Sequence, residues 1–136
     1  MTQEEDPVAE DEYVLRRIHK DHFKAALASP VLRLAFQPTK RDVDGLSVGR
    51  EKFITAAQLA AVGRTPGAYY LARLAVTALH VLRLTVIPAP RADLLGHAII
   101  PELNFAAYRQ DKKRLDAVQV ELARLASLAI VHQPGS

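Results

Sequence analysis

The residues Asp42-Val43-Asp44-Gly45-Leu46-Ser47-Val48-Gly49-Arg50-Glu51 hold three chemistries in one stretch. Gly45-Leu46-Ser47-Val48-Gly49 has the G-x-S-x-G spacing of a serine nucleophile, and Asp93 and His97 follow it in the chain order of an α/β-hydrolase triad. Asp42, Asp44, Gly45 and Glu51 match most of a calcium loop. Asp44-Gly45 between apolar neighbours is a turn signal. A nucleophilic serine needs a strained turn between a buried strand and a helix, with oxyanion donors beside it. Here the charged run Lys40 to Asp44 leads in, and Gly49-Arg50-Glu51 makes a poor helix start. In a calcium loop, Lys40 would stand where the first carboxylate belongs, and an ammonium repels the ion and supplies no acceptor oxygen. The turn reading lacks no part. It predicts an exposed hairpin loop in which Asp42 or Asp44 accepts backbone N–H bonds, with Ser47 an ordinary serine at its tip. Lys40, Arg41 and Arg50 would then ring a polar loop able to bind a partner.

Other reactive side chains are scattered. His19 and His22 lie three apart and share a face if helical, which is half a metal site; the nearest acid, Asp21, would point elsewhere, so surface histidines are expected and no metal. His97, beside Gly96 and near Glu102, has the chemistry of a general base, but a hydrogen-bonded histidine at a strand edge is the simpler reading. Arg109, Lys112, Lys113 and Arg114 cluster on a C-terminal helix and would attract phosphate or an acidic protein face without reading sequence. No set of residues demands a cofactor, and no catalytic residue is assigned.

Composition bounds the classes. The chain has 136 residues, 49% apolar and 24% charged, enough for one core without staples, and it has no cysteine for disulfides, thiolate chemistry or a cysteine metal site. Net charge is +3, but six of the 15 acids precede Tyr13 and no lysine or arginine does; from Tyr13 onward, 18 bases meet nine acids, or +9. Residues 1–12 are therefore expected to form a disordered acidic arm on a single basic domain, residues 13–136. That N-terminus lacks the basic start and apolar run of a secretion signal, and Leu74 to Ile87, interrupted by His80 and Arg83, falls short of the about 20 apolar residues that span a bilayer. A cytoplasmic location, away from membranes, is expected.

The elements that must position these residues follow from periodicity. Tyr13 to Ile18 reads as a strand followed by a short helix to Leu27, with one helix over the whole of 13–27 as the alternative, and Ser29-Pro30 breaks either. Leu32 to Phe36 alternates like a half-buried strand, with Leu46-Ser47-Val48 returning as its partner. Thr55 should cap a helix over 56–62 ended by Gly63. Tyr69 to Val76 reads as a strand, 78–82 as a helical turn capped by Thr77, Leu84 to Ile87 as a buried central strand, and Gly96 to Ile100 as another. Asn104 should cap one helix reaching about Ala126, with a final strand over 128–132. The predicted class is α+β, a small mixed sheet of short strands with packed helices, the last one long. The stripe Leu115 to Leu125 suits packing on that sheet, and a second copy of the helix is the other partner it fits, so a homo-oligomer is open.

Two boxes, Asp42-Val43-Asp44-Gly45-Leu46-Ser47-Val48 and Gly96-His97-Ala98-Ile99-Ile100-Pro101-Glu102-Leu103, preceded by Arg16-Arg17, resemble those of a family of small uncharacterised bacterial proteins with a DGLS-type turn. The resemblance spans most of the chain after residue 12. It implies a compact bacterial cytoplasmic protein, carries over no catalytic residue and directs attention to both boxes. The leading expectation is a non-enzymatic interaction protein that binds another protein through the Asp-Gly loop, the surroundings of His97 and the basic helix. Two alternatives stand beside it: a nucleic-acid binder using Arg16, Arg17, Lys40, Arg41, Lys112, Lys113 and Arg114, and a small hydrolase using Ser47 and His97 with Asp93 or Glu102.

Overall fold

Alternation in Tyr13-Val14-Leu15-Arg16-Arg17-Ile18 decides the architecture. In an extended strand successive side chains point to opposite faces, so Val14 and Ile18 bury on one side of the sheet and Leu15 on the other. Both faces must therefore be covered. A computed structural model describes residues 3–135; Met1, Thr2 and Ser136, including the first two residues of the acidic segment, lie outside the described residues. The elements are β1 (Tyr13–His19), β2 (Leu46–Arg50), α1 (Ala56–Ala60), β3 (Tyr69–Ala75), α2 (Val76–Val81), β4 (Ile87–Pro88), β5 (His97–Ile100), α3 (Phe105–Gln110), α4 (Lys112–Ser127) and β6 (Ile130–His132).

The strands form one six-stranded sheet in the order β4-β5-β2-β1-β3-β6, with every neighbouring pair antiparallel. The α+β class expected from the sequence holds, including the long last helix; the sheet itself is wholly antiparallel. Val14, Ile18, Leu46, Val48, Ala72, Leu74, Ala98 and Ile100 pack against α2, α3 and α4 on one face. Leu115 and Leu122 of α4 are fully buried there, and each such leucine contributes about 1.5–3 kcal/mol. The other face is thinner, with Leu15 and Leu71 meeting Leu59 and Ala60 of α1 and Leu94 of the β4–β5 loop. The start of α1 is fixed by Thr55, the cap the sequence predicts, in a reciprocal capping box: Thr55 Oγ1 accepts from Gln58 N at 3.1 Å and Gln58 Oε1 from Thr55 N at 2.9 Å.

Several elements differ from expectation, each for a local reason. Leu32 to Phe36 is not a strand: Arg33–Phe36 form a 3₁₀ turn in which Ala35 and Phe36 are buried consecutively and Leu34 is exposed. The Asp-Gly turn therefore closes no hairpin with that segment, and β2 pairs with β1 and β5 instead. No helix follows β1, only a 3₁₀ turn over Lys20–His22. Leu84 to Ile87 is not a central strand. Only Ile87–Pro88 pair, at the sheet edge, because Thr85 gives its N–H and hydroxyl to Glu102 at 2.8 and 2.6 Å. The helix capped by Asn104 breaks at Asp111, whose φ of −143° and ψ of 56° leave helical space, so α3 and α4 are separate.

The acidic segment also carries contacts that a solvated arm lacks. Arg50, fully buried, donates to Glu12 Oε1 and Oε2 at 2.9 and 2.8 Å and to the carbonyls of Glu4 and Asp6 at 3.1 and 2.9 Å. Glu4 Oε2 in turn accepts from Gly96 N at 3.1 Å. Residues 4–12 are thus held against β2 and β5.

Candidate functional site

An antiparallel ladder holds two strands together only as far as it runs. β1 extends to His19, but its pairing with β2 stops at Val14↔Arg50 and Leu15↔Gly49. Continuing that register would set Arg17 opposite Ser47. Instead the carbonyl of Ser47 accepts from Nη1 of Arg16 at 2.8 Å, so a side chain takes the place of the ladder and the strands part. Where they part, a cleft of about 270 Å³ opens, walled by Arg16, Arg17, His19 and His22 on one side and by Arg41 and Asp42 of the Asp-Gly loop on the other.

Arg16 lies at the floor. It is half-buried, ringed by protein but reached by water through the cleft, and this burial lowers its pKa to about 10; Asp42 pulls the other way and Arg17 adds to the fall. Its Nε and Nη2 donate to the carbonyl of Ala35 at 3.2 and 2.8 Å, and the guanidinium stands 6.0 Å from the Phe36 ring centre. Its recorded partners are all neutral carbonyls. Arg33, Arg50, Arg73, Arg91, Arg114 and Arg124 each form an ion pair with a carboxylate; among the described residues Arg16, Arg17 and Arg41 form none, nor do Arg64, Arg83 and Arg109 away from the cleft. Arg17, on the opposite face of β1, donates to Val62 O at 2.7 Å and lies over the Tyr69 ring; burial lowers its pKa as well. His22 is shifted down by burial and then by His19, with Asp21 opposing and Arg16 adding. The Asp42 carboxylate accepts from Thr39 N at 2.7 Å and Thr39 Oγ1 at 3.1 Å, which ties down the loop wall. A cation taken partly out of water without a counter-charge favours an anion beside it.

Ser47 corrects a second expectation. It is not at the tip of an exposed bend: it is half-buried within β2, and its Oγ lies 3.1 Å from Nε2 of His97 on β5. His97 Nδ1 lies 2.7 Å from Ala89 O. A carbonyl only accepts, so Nδ1 carries the proton and Nε2 accepts from the serine hydroxyl. That is the serine–histidine contact a hydrolase needs, but the rest of the machinery is elsewhere. The third position is a neutral carbonyl, while Asp93 is exposed and paired with Arg91 at 2.6 Å. Ser47 sits in regular pairing with Ile99 and not on a strained turn. The space beside the pair is about 10 Å³, room for one water, between Leu15, Leu59 and Leu94. The geometry is that of a polar clasp across the β2–β5 ladder.

The remaining expected site residues fall apart in space. Arg50 is a buried anchor for the N-terminal segment, and Glu102 holds Thr85. Asp44 is exposed. Arg109, Lys112, Lys113 and Arg114 are exposed where α3 meets α4; Arg109 lies 5.8 Å from the Phe105 ring centre and Arg114 pairs with Asp111 at 2.7 Å. Of the expected binding residues, Asp42 alone lines the cleft, joined by Arg16, Arg17 and Arg41 from the nucleic-acid set and by His19 and His22 from the metal pair. Among the described residues no group of three or more His, Asp or Glu side chains could hold a metal ion.

The two sequence boxes do meet. β2 and β5 pair from Leu46↔Ile100 to Gly49↔His97, and Phe105 N donates to Asp42 O at 3.0 Å. Gly45 lies so close to β5 that a Cβ there would stand 2.6 Å from the Ile100 carbonyl. Thr39, Gln37 and Tyr69 were not singled out by sequence; the available signal was two arginines in the middle of the otherwise apolar strand Tyr13–His19. The chain matches no protein-family model, no curated protein and no solved structure.

Proposed function

We propose that the protein is a non-enzymatic interaction module, a bacterial accessory protein of the cytoplasm that seats an acidic group of another protein in the cleft between β1 and the Asp-Gly loop. One observation carries the reading: the Arg16 guanidinium at the cleft floor is bonded only to carbonyl oxygens. Those bonds fix its plane, and an incoming oxyanion would complete it with charge-assisted hydrogen bonds of about 1.5–3 kcal/mol each. Arg17 and Arg41 add charge from either side, and the basic excess after Tyr13 steers an acidic partner toward the molecule. The bacterial and cytoplasmic parts of the proposal rest on the resemblance carried by the two boxes. Catalysis is left out because the Ser47–His97 pair opens on a space for one water.

The test is an array of acidic dodecapeptides probed with the protein and with Arg41→Gln. Arg41 is exposed, so its replacement leaves the core intact. Expected is salt-sensitive binding of acidic peptides over neutral ones, weakened at least tenfold in the variant. Equal binding by both proteins would contradict the proposal. Retention of single-stranded nucleic acid, lost on neutralising Lys112, Lys113 and Arg114 but not Arg41, would move the function to the α3–α4 junction.

A further inference from the structure

We infer that the group taken by the cleft is a phosphomonoester, so that the protein recognises a phosphorylated side chain of its partner. The inference rests on the cleft being an acidic-partner site and adds the identity of the acid. Charge is the first argument. Three arginines, Arg16, Arg17 and Arg41, line the cleft together with one carboxylate, Asp42, an excess of two positive charges. An Asp or Glu side chain would cancel one of them. A phosphoserine or phosphothreonine carries about −1.5 to −2 at pH 7 and cancels both, whereas a phosphodiester of nucleic acid brings a single charge per group.

Donor count is the second argument. After its three bonds to carbonyls, Arg16 keeps two of five N–H donors, and Arg17 keeps four after its bond to Val62. Among the described residues the Arg41 side chain makes no hydrogen bond, and the His19 and His22 rings stand on the same wall, His19 Nδ1 itself accepting from Asp21 N and so leaving only Nε2 as a donor. Such a spread of donors suits three oxygens around one phosphorus better than the two coplanar oxygens of a carboxylate. Asp42 places its charge against Thr39 and not across the cleft, so it organises the wall without filling the site.

The experiment is a fluorescence-anisotropy titration of the full chain with three peptides identical except for one residue: phosphoserine, glutamate or serine. Inorganic phosphate serves as competitor. The phosphopeptide is expected to bind at least tenfold more tightly than the glutamate peptide, with the serine peptide weaker than both and inorganic phosphate displacing the probe. Arg41→Gln and Arg16→Gln should each erase the phosphate advantage; Arg41 is exposed, so its variant reads out the site even if Arg16→Gln fails to fold. Equal affinity for phosphoserine and glutamate peptides would overturn this inference and leave the acidic-partner reading standing. Binding by none of the three would remove both. A phosphate advantage unchanged in Arg41→Gln, or a single-stranded oligonucleotide bound more tightly than the phosphopeptide, would overturn the inference as well.

Discussion

Arg16 and Arg50 show what surroundings make of the same side chain. Arg50 is wholly buried against Glu12 and backbone carbonyls, so its charge is spent inside the protein; Arg16 is half-buried and meets carbonyls alone. Removing Glu12 leaves Arg50 charged in a dry place. Glu12→Ala should therefore cost about 3 kcal/mol in urea unfolding, the low end of the range for a broken buried pair because the carbonyl bonds of Arg50 persist. Ser47→Ala should cost about 1 kcal/mol, since one water can replace the hydroxyl beside His97, and a fluorophosphonate probe should leave Ser47 unlabelled. Labelling would restore the hydrolase reading. Burial lowers the pKa of His97, helped by Arg91 and Arg17 and opposed by its bond to Ala89 and by Asp93; burial lowers that of His22 too. A depressed histidine pKa means the unfolded chain binds the proton first. Stability should be full above pH 6.5 and fall as pH drops from there toward the folded-state values, with a flatter profile in His97→Gln. Burial pushes the Glu12 carboxyl up, but Arg50 and its other partners outweigh that and hold it below the ordinary 4.5, so it adds a second loss below that pH.

Among the elements, those with local chemical signals were legible. Thr55 and Asn104 cap α1 and α3 as their sequences predict, and the strands β1, β3 and β5 appear where apolar residues run or alternate between breakers. The misreadings share a cause, which is that a distant side chain takes a role periodicity cannot reveal. Arg33 turns toward Asp116 and Gln119 on α4 at 2.9 Å each, which makes residues 33–36 a turn and not a strand. Glu102 satisfies Thr85 where a neighbouring strand would have done so. At Gly45, φ is +149° and the Ile100 carbonyl leaves no room for a Cβ. Gly45→Ala should therefore push the Asp-Gly loop off β5, at a cost of at least about 2 kcal/mol, measured by thermal unfolding. Amide hydrogen exchange should show the loss concentrated in the loop and in β5.

For the whole molecule, charge and connectivity join. Composition favours a loose acidic arm, but residues 4–12 neutralise Arg50 and touch Gly96, so truncation at Tyr13 should lower stability by about 3 kcal/mol as well as raise net charge. Calorimetry on the truncated chain checks this; an unchanged Tm would return the segment to the status of an arm. No helix among the described residues is long and apolar enough to cross a membrane. The cleft was legible only in pieces. Arg16, Arg17, His19, His22, Arg41 and Asp42 each stood out, but under different chemistries, because their meeting depends on a ladder that ends after Leu15. The measurement that tests this most directly is a nitrogen–proton NMR spectrum of the arginine Nε–Hε groups during titration with the phosphoserine peptide. The resonances of Arg16, Arg17 and Arg41 should shift together with one dissociation constant while those of Arg50 and Arg109 stay still. Shifts confined to Arg109 and Arg114, or none at all, would contradict the account.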